Sequence, residues 1–163
     1  MKTLLIVYHS MTGGTLQMAQ AAADGASTEP SVQVRLLRAP DAAAEDLINA
    51  DGYIFATPEN LAAISGLLKD FFDRTYYAAL ERLNGRPYAA LICAGSDGRN
   101  AARQIERIAS GWRLKPVAPA LIICTHAQSP EAILRPKQIG PEGLQSCRDI
   151  GAAMAAGLAL GVY

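Results

Sequence analysis

Short apolar runs alternate along this chain with longer segments of helical periodicity. The apolar runs predict five buried strands, at residues 3–8, 32–37, 52–56, 88–94 and 117–124. Several of these runs are continuously apolar, which is typical of parallel strands covered on both faces. The intervening segments predict five helices, at residues 15–26, 42–50, 64–83, 100–112 and 141–160. This alternation predicts an α/β fold built on a parallel sheet.

The order of the predicted strands follows from general rules of chain connection. With right-handed crossovers, five such units most commonly form a doubly wound three-layer sandwich with a five-stranded parallel sheet in the order 2-1-3-4-5. Pro119 lies inside the fifth predicted strand. Because proline has no N–H to donate to a ladder, that strand should lie at an edge or be broken there. We expect a single domain over residues 1–163.

The composition and net charge of the chain limit which kinds of molecule it is expected to bind. The chain has 15 basic and 15 acidic residues, so no charge excess favours nucleic acid or an anionic membrane surface. The three cysteines, Cys93, Cys124 and Cys147, form no C-x-x-C pair, so neither a disulfide framework nor a metal site is indicated. No targeting signal or bilayer-spanning run is visible. We therefore expect a cytoplasmic protein without membrane insertion or a nucleic-acid partner.

The first predicted strand leads directly into a loop rich in hydroxyl groups and glycine. Its residues are Ser10, Met11, Thr12, Gly13, Gly14 and Thr15. Adjacent glycines let the backbone amides point inward, the hydroxyls add donors, and the following helix N-terminus adds about half a unit of positive charge. This pattern predicts a cradle for a phosphate monoester. The alternative is an ordinary turn in which Thr15 only caps the helix.

Other phosphate chemistries lack their motifs in this loop. There is no G-x-x-x-x-G-K-[ST] for a nucleoside triphosphate and no G-x-G-x-x-G for a dinucleotide. A phosphatase would need a nucleophilic cysteine in the loop, and a phosphoacceptor domain would need aspartates at the end of the first strand. Neither feature is present.

Two further loops should leave the sheet beside the first one. The third predicted strand is followed by Thr57, Pro58, Glu59, Asn60 and Leu61, and the fourth ends in Ala94, Gly95, Ser96, Asp97 and Gly98. Ligands of doubly wound sheets bind at the carboxyl ends of the strands, so both loops are candidate binding segments. Other interpretations stay open. The second loop could be a plain connection in which Pro58 forms the turn and the side chains of Glu59 and Asn60 are solvated. In the third loop, Asp97 could cap a turn or a helix.

The first loop resembles that of the flavodoxin family, [ST]-x-T-G-x-T, at Ser10, Thr12, Gly13 and Thr15. Residues 57–60 and 65–74 are similar to the stretch after strand three in NAD(P)H-dependent FMN reductases and flavodoxin-like quinone reductases. The resemblance implies a flavodoxin-like fold that binds FMN noncovalently. It places the phosphate in the first loop, the isoalloxazine ring along the second loop and the pyrimidine edge near the third. Since the cofactor would carry the redox chemistry, no catalytic side chain is assigned.

The departures from electron-carrier flavodoxins favour an enzyme. Many carriers sandwich the flavin between aromatic side chains and are strongly acidic, whereas this chain is neutral and neither ring loop contains an aromatic residue. An uncovered flavin face can accept a nicotinamide and then a quinone, a flavin or another small flat acceptor. We expect a two-electron NAD(P)H-dependent reductase, with a one-electron carrier between redox proteins as the alternative. Related reductases also suggest Arg74, Tyr76 and Tyr77 as homodimer contacts, with packing inside the monomer the equal alternative.

Overall fold

The computed structural model describes residues 1–163 as seven strands and six α-helices. The strands are β1 (Lys2–Tyr8), β2 (Val32–Arg38), β3 (Gly52–Asn60), β4 (Ala63–Ile64), β5 (Pro87–Ala94), β6 (Lys115–Pro116) and β7 (Leu121–Cys124). The helices are α1 (Gly14–Ala26), α2 (Ala44–Ile48), α3 (Gly66–Ala79), α4 (Arg99–Gly111), α5 (Pro130–Leu134) and α6 (Pro141–Leu160). None of the helices combines the length and the apolarity needed to cross a bilayer.

The sheet confirms the predicted flavodoxin-like order. Its main path is β2-β1-β3-β5, and β5 then pairs in parallel with both β6 and β7. These two short strands occupy the fifth position, on either side of Pro119, so the predicted edge strand is broken as expected. The seventh strand, β4, pairs antiparallel with the end of β3 and adds a hairpin that the five-strand prediction lacked.

Several helix boundaries differ from the prediction for local reasons. α3 begins only at Gly66, because the Ser65 hydroxyl accepts from the amide of Leu68 and caps the helix there. It ends at Ala79, since Leu80 already has an extended backbone. The expected helix over residues 64–83 was therefore too long at both ends. The loop predicted before the last helix contains α5, which the Ser129 hydroxyl caps.

Two apolar layers cover the sheet. One face carries α2, α3 and α4 around a core that includes Phe55, Phe72 and Trp112. The other face carries α1 and α6, which approach so closely that a Cβ at Gly151 would overlap the carbonyl oxygen of Ala22. The N-terminus of α1 lies at the carboxyl end of the sheet because the helix follows β1 after a short loop.

The suggested dimer residues of α3 divide into two groups. Arg74 bonds to Asp70 and to two backbone carbonyls of its own chain, and Tyr76 stacks on Trp112 with ring centroids 5.5 Å apart. Both side chains therefore have partners within the monomer. Tyr77 is 82% exposed, so its role in an interface stays a prediction.

Candidate functional site

The three predicted loops converge on one open cavity of about 490 Å³ at the carboxyl end of the sheet. Seventeen residues line it, and twelve of them belong to the predicted loops: Ser10, Met11, Thr12, Gly14, Thr15, Pro58, Glu59, Asn60, Leu61, Ala94, Gly95 and Ser96. Four predicted residues do not line it, namely Gly13, Thr57, Asp97 and Gly98. Five lining residues were not predicted: Cys93, Thr125, Ala127, Ile133 and Lys137.

The first loop forms a cradle of unpaired amides. Gly13, with φ +90°, is the N-cap of α1, and its amide donates to the Ser10 hydroxyl at 3.1 Å. The first bond of the helix runs from the amide of Gln17 to the carbonyl of Gly13, at 3.1 Å. The amides of residues 14–16 precede that bond and have no acceptor in the chain. Unpaired amides at a helix start are suitable donors to an anion.

Thr15 does not cap the helix as one interpretation of the sequence expected. Its side chain is 99% buried, since its relative exposure is 1%, and Oγ1 has no hydrogen-bond partner. Burial raises the pKa of the Cys93 thiol, and contact with the Thr15 hydroxyl opposes that rise as a weak hydrogen bond would. The two atoms do not meet hydrogen-bond geometry, however, and a thiol is a poor partner for a buried hydroxyl. Thr15 therefore keeps a free polar atom beside the unpaired amides.

Cys93 forms the floor under this cradle. Burial raises the pKa of its thiol, against smaller lowering effects from Lys137 and Thr15, so the thiol is neutral at physiological pH. A Cβ added to Gly14 would come within 2.6 Å of the Cys93 sulfur. Glycine at this position is what allows α1 to begin so close to β5. The contact was not visible in sequence because Cys93 lies 79 residues further along the chain than Gly14.

A distant segment closes the outer side of the cradle. The amide of Lys137 donates to the carbonyl of Thr12 at 2.8 Å. The Gln17 side chain donates to the carbonyl of Lys137 at 2.7 Å and accepts from the amide of Ile139 at 3.0 Å. The ammonium of Lys137 is bonded to three carbonyls at the end of α5, so it stabilises that helix and leaves anion binding to the first loop.

The second loop is a β-hairpin rather than a plain connection. Leu61 and Ala62 have φ values of +49° and +59°, which together form a tight primed turn between β3 and β4. Thr57 is fully buried at the base of this hairpin, where its hydroxyl accepts from the amide of Ser65 at 3.0 Å. Thr57 therefore braces the hairpin and does not reach the cavity.

Glu59 joins the second loop to the third. One oxygen of its carboxylate accepts from the amide of Gly98 at 2.8 Å, and the other accepts from the amide of Ala101 at 3.2 Å. Glu59 is therefore bound to the N-terminus of α4 and is not a solvated side chain. Gly98, with φ +85°, is the N-cap of that helix, and a Cβ there would lie 2.5 Å from Ile122.

Asp97 forms a local turn just before the N-cap of α4. Its carboxylate accepts from the amide of Arg99 at 3.1 Å and pairs with the Arg99 guanidinium at 2.6 Å. The hydrogen bonds from Arg99 lower the pKa of Asp97. The wall beyond this loop is completed by residues after β7, since the amides of Thr125 and His126 donate to the carbonyls of Ala94 and Gly95, each at 2.8 Å.

His9 precedes the first loop but does not line the cavity. Its Nδ1 atom is buried without a hydrogen-bond partner. Burial, and secondarily the charge of Arg38, lower the pKa of His9, which keeps the imidazole neutral at physiological pH. A buried, neutral His9 therefore makes no charged contact with a phosphate.

The chain has recognisable relatives among known proteins. The family model described as NADPH-dependent FMN reductase matches residues 30–129. An NAD(P)H dehydrogenase (quinone) from Acidithiobacillus ferrooxidans is 35% identical over 95 residues, covering 46% of this chain and 48% of the relative. A flavodoxin from Aquifex aeolicus is 32% identical over 98 residues, covering 60% and 53%. The chain thus spans about half the length of the curated relatives it matches.

Solved structures agree on the fold. An archaeal flavodoxin superposes with a TM-score of 0.81 at 21% identity, covering 96% of this chain and 99% of that one. A WrbA-like flavodoxin from Agrobacterium tumefaciens gives 0.73 at 21% identity, covering 98% and 99%. The family model covers more than half of the sequence. The chain therefore belongs to the NADPH-dependent FMN reductase family, which indicates FMN as its cofactor.

Proposed function

We propose that this chain binds FMN in the three-loop cavity and reduces quinones, flavins or similar flat acceptors by two-electron transfer from NAD(P)H. The observation that carries the proposal is the free hydroxyl of Thr15 beside three unpaired amides at the start of α1. A buried hydroxyl without a partner is unfavourable unless a ligand completes its hydrogen bond. A phosphate monoester supplies several acceptor oxygens at once.

The remaining walls suit the other parts of FMN. The hairpin residues Pro58 to Leu61 would lie along the isoalloxazine ring, and the small residues Ala94, Gly95 and Ser96 would let its pyrimidine edge approach the backbone. The cavity volume of about 490 Å³ is within the usual range for cofactor sites. When bound, FMN would supply hydride acceptance and onward electron transfer, while the chain binds and orients it.

The choice of two-electron chemistry rests on what the cavity lacks. None of its seventeen lining residues is Phe, Tyr or Trp, so no aromatic side chain covers either face of a flavin held there. An open face leaves room for a nicotinamide to approach and, after it departs, for a flat acceptor. This favours a reductase that takes its two substrates in turn.

The second candidate function is a one-electron carrier between redox proteins. It is favoured by the 32% identity to the Aquifex aeolicus flavodoxin. The two functions differ in their behaviour with NADPH under anaerobic conditions. A reductase should bleach the oxidised flavin absorbance at one equivalent of NADPH, whereas a carrier should be reduced by NADPH only slowly and through a stable one-electron state.

One experiment tests the proposal in two stages. The purified chain is first titrated with FMN, following the quenching of flavin fluorescence, and is then mixed anaerobically with NADPH and with a quinone. We expect tight FMN uptake, rapid bleaching and repeated turnover when quinone is added. Failure to bind FMN would refute the cofactor site, and FMN binding without NADPH oxidation would leave the carrier as the better function.

A further inference from the structure

A second groove, of about 430 Å³, lies between α3 and α4 and shares one wall with the flavin cavity. The shared wall is the β3–β4 hairpin. Its outgoing strand presents Glu59 and Asn60 to the flavin cavity, and its returning strand presents Ala63 and Ile64 to the groove. Glu59 pairs with Ile64 and Asn60 with Ala63 in the hairpin register. The two cavities are therefore separated by a ribbon only two strands wide.

The groove is strongly basic. Lys69 of α3 lines one side, Arg103 and Arg107 of α4 line the other, and no carboxylate is among the lining residues. Arg103 and Arg107 are one helical turn apart, both are exposed, and neither makes an ion pair. Like charges at this spacing destabilise a helix by roughly 0.2–0.5 kcal/mol. The pair thus has no evident role in folding.

The other cations near this end of α4, unlike these two arginines, do make ion pairs. Arg99, one turn before Arg103, is held by Asp97 at 2.6 Å. Lys69 is bound only to Asp73 of its own helix, at 2.6 Å, and both side chains are more than half exposed. Such an exposed pair is weak, on the order of 0.3–0.5 kcal/mol, and it yields readily to a stronger anion. Three cations are therefore available to one anionic group.

We propose that this groove binds the adenosine 2′-phosphate of NADPH, with Arg103 and Arg107 as the donors that select NADPH over NADH. The inference rests on the proposed function, since it needs a nicotinamide delivered to a flavin in the neighbouring cavity. A dinucleotide lying across the hairpin would have its nicotinamide at the flavin and its adenosine end in the groove. Guanidinium groups bind phosphate oxygens in a bidentate manner, and the half-buried side chain of Ile108 offers an apolar surface to the adenine ring.

The groove is separate from the site of the FMN phosphate. That phosphate is assigned to the first loop, and none of the groove residues lines the flavin cavity. The two sites therefore make independent predictions. Loss of the arginines should leave FMN binding unchanged and should alter only the distinction between the two nicotinamide donors.

The test uses 2′,5′-ADP and 5′-AMP, which differ in the 2′-phosphate, as calorimetric probes of the FMN-loaded full chain. The variant R103Q/R107Q is compared with R82Q/R113Q, which removes two exposed arginines that line neither cavity. We expect the wild-type chain and the control to bind 2′,5′-ADP at least ~10-fold more tightly than 5′-AMP, as charge-assisted hydrogen bonds require. In R103Q/R107Q the preference should fall to less than about twofold. With FMN bound, kcat/KM should fall ~10–100-fold for NADPH and stay nearly constant for NADH.

Equal affinity of the wild-type chain for the two probes would overturn the assignment. An unchanged preference for 2′,5′-ADP in R103Q/R107Q would also overturn it. So would an equal loss of that preference in R82Q/R113Q, because the preference would then depend on the general surface charge and not on the groove. FMN uptake is measured on every variant. If FMN does not bind, the probes are titrated into the FMN-free chain. A preference for 2′,5′-ADP that still depends on the two arginines would then keep the 2′-phosphate site, while the proposed function and the site's part in NADPH oxidation would both fail.

Discussion

Replacing Thr15 with valine should change two properties in opposite directions. Valine keeps the shape of threonine and removes the hydroxyl that is buried without a partner. In the chain without FMN, this removes an unfavourable buried polar atom, so the free energy of unfolding should rise by about 1 kcal/mol. In the complex, it removes a hydrogen bond to a charged phosphate oxygen, worth about 1.5–3 kcal/mol. The FMN dissociation constant should therefore rise roughly 10- to 150-fold.

The matched control is Thr75→Val. Thr75 is equally buried, but its hydroxyl donates to the carbonyl of Phe71 at 2.7 Å and lies in α3, outside the cavity. This variant should lose a little stability and keep its FMN affinity. Affinity is measured by fluorescence quenching, and stability by urea unfolding of the FMN-free chain. An FMN affinity within twofold of wild type for Thr15→Val, or a loss of stability like that of Thr75→Val, would refute the role assigned to the free hydroxyl.

Three further substitutions test how the site is supported. Gly151→Ala would force α1 and α6 apart, because the new methyl group meets the carbonyl of Ala22. It should lower the free energy of unfolding by about 3 kcal/mol and the melting temperature by roughly 6–12 °C. The control Gly66→Ala, whose methyl group would meet no neighbouring atom, should change neither quantity. Burial raises the pKa of Cys147 from 9.0 to about 12. The free energy of unfolding is therefore unaffected by this thiol below pH 9, and it falls between pH 9 and 12, where the thiol ionises in the unfolded chain but not in the folded one. At pH 10.5 this effect should cost the wild-type chain about 2 kcal/mol of its free energy of unfolding, and urea unfolding of Cys147→Ala should not show that pH-dependent loss. Glu59→Gln should weaken two hydrogen bonds at the start of α4, lower stability by about 1 kcal/mol and broaden amide signals of the third loop in NMR spectra.

Most of the architecture was predictable because local signals agreed with the global fold. Continuous apolar runs predicted the parallel strands, and Pro119 predicted the break between β6 and β7. The first loop was predictable as well, since its glycines and hydroxyls lie in one continuous segment. The β3–β4 hairpin was not, because its tight turn uses Leu61 and Ala62 at positive φ, where sequence rules expect Gly, Asn or Asp.

The parts of the site that escaped prediction come from distant segments. Lys137 bonds to Thr12 through its backbone, and Gln17 bonds to Lys137 across 120 residues of sequence. Backbone hydrogen bonds leave no signature in residue type, and a glutamine on an amphipathic helix is unremarkable in sequence. Cys93 belongs to no cysteine motif, and burial raises the pKa of its thiol, yet its position makes Gly14 necessary.

Glu59 determines more than one property of the site. By binding the amides of Gly98 and Ala101, it fixes the hairpin to the N-terminus of α4. The hairpin is the wall between the two cavities, and α4 carries Arg103 and Arg107 on its next two turns. The separation between the flavin ring and the proposed 2′-phosphate site is therefore set by the same carboxylate that orders the third loop. Any rearrangement of Glu59 should alter flavin binding and NADPH selectivity together, whereas changes at the arginines should alter selectivity alone.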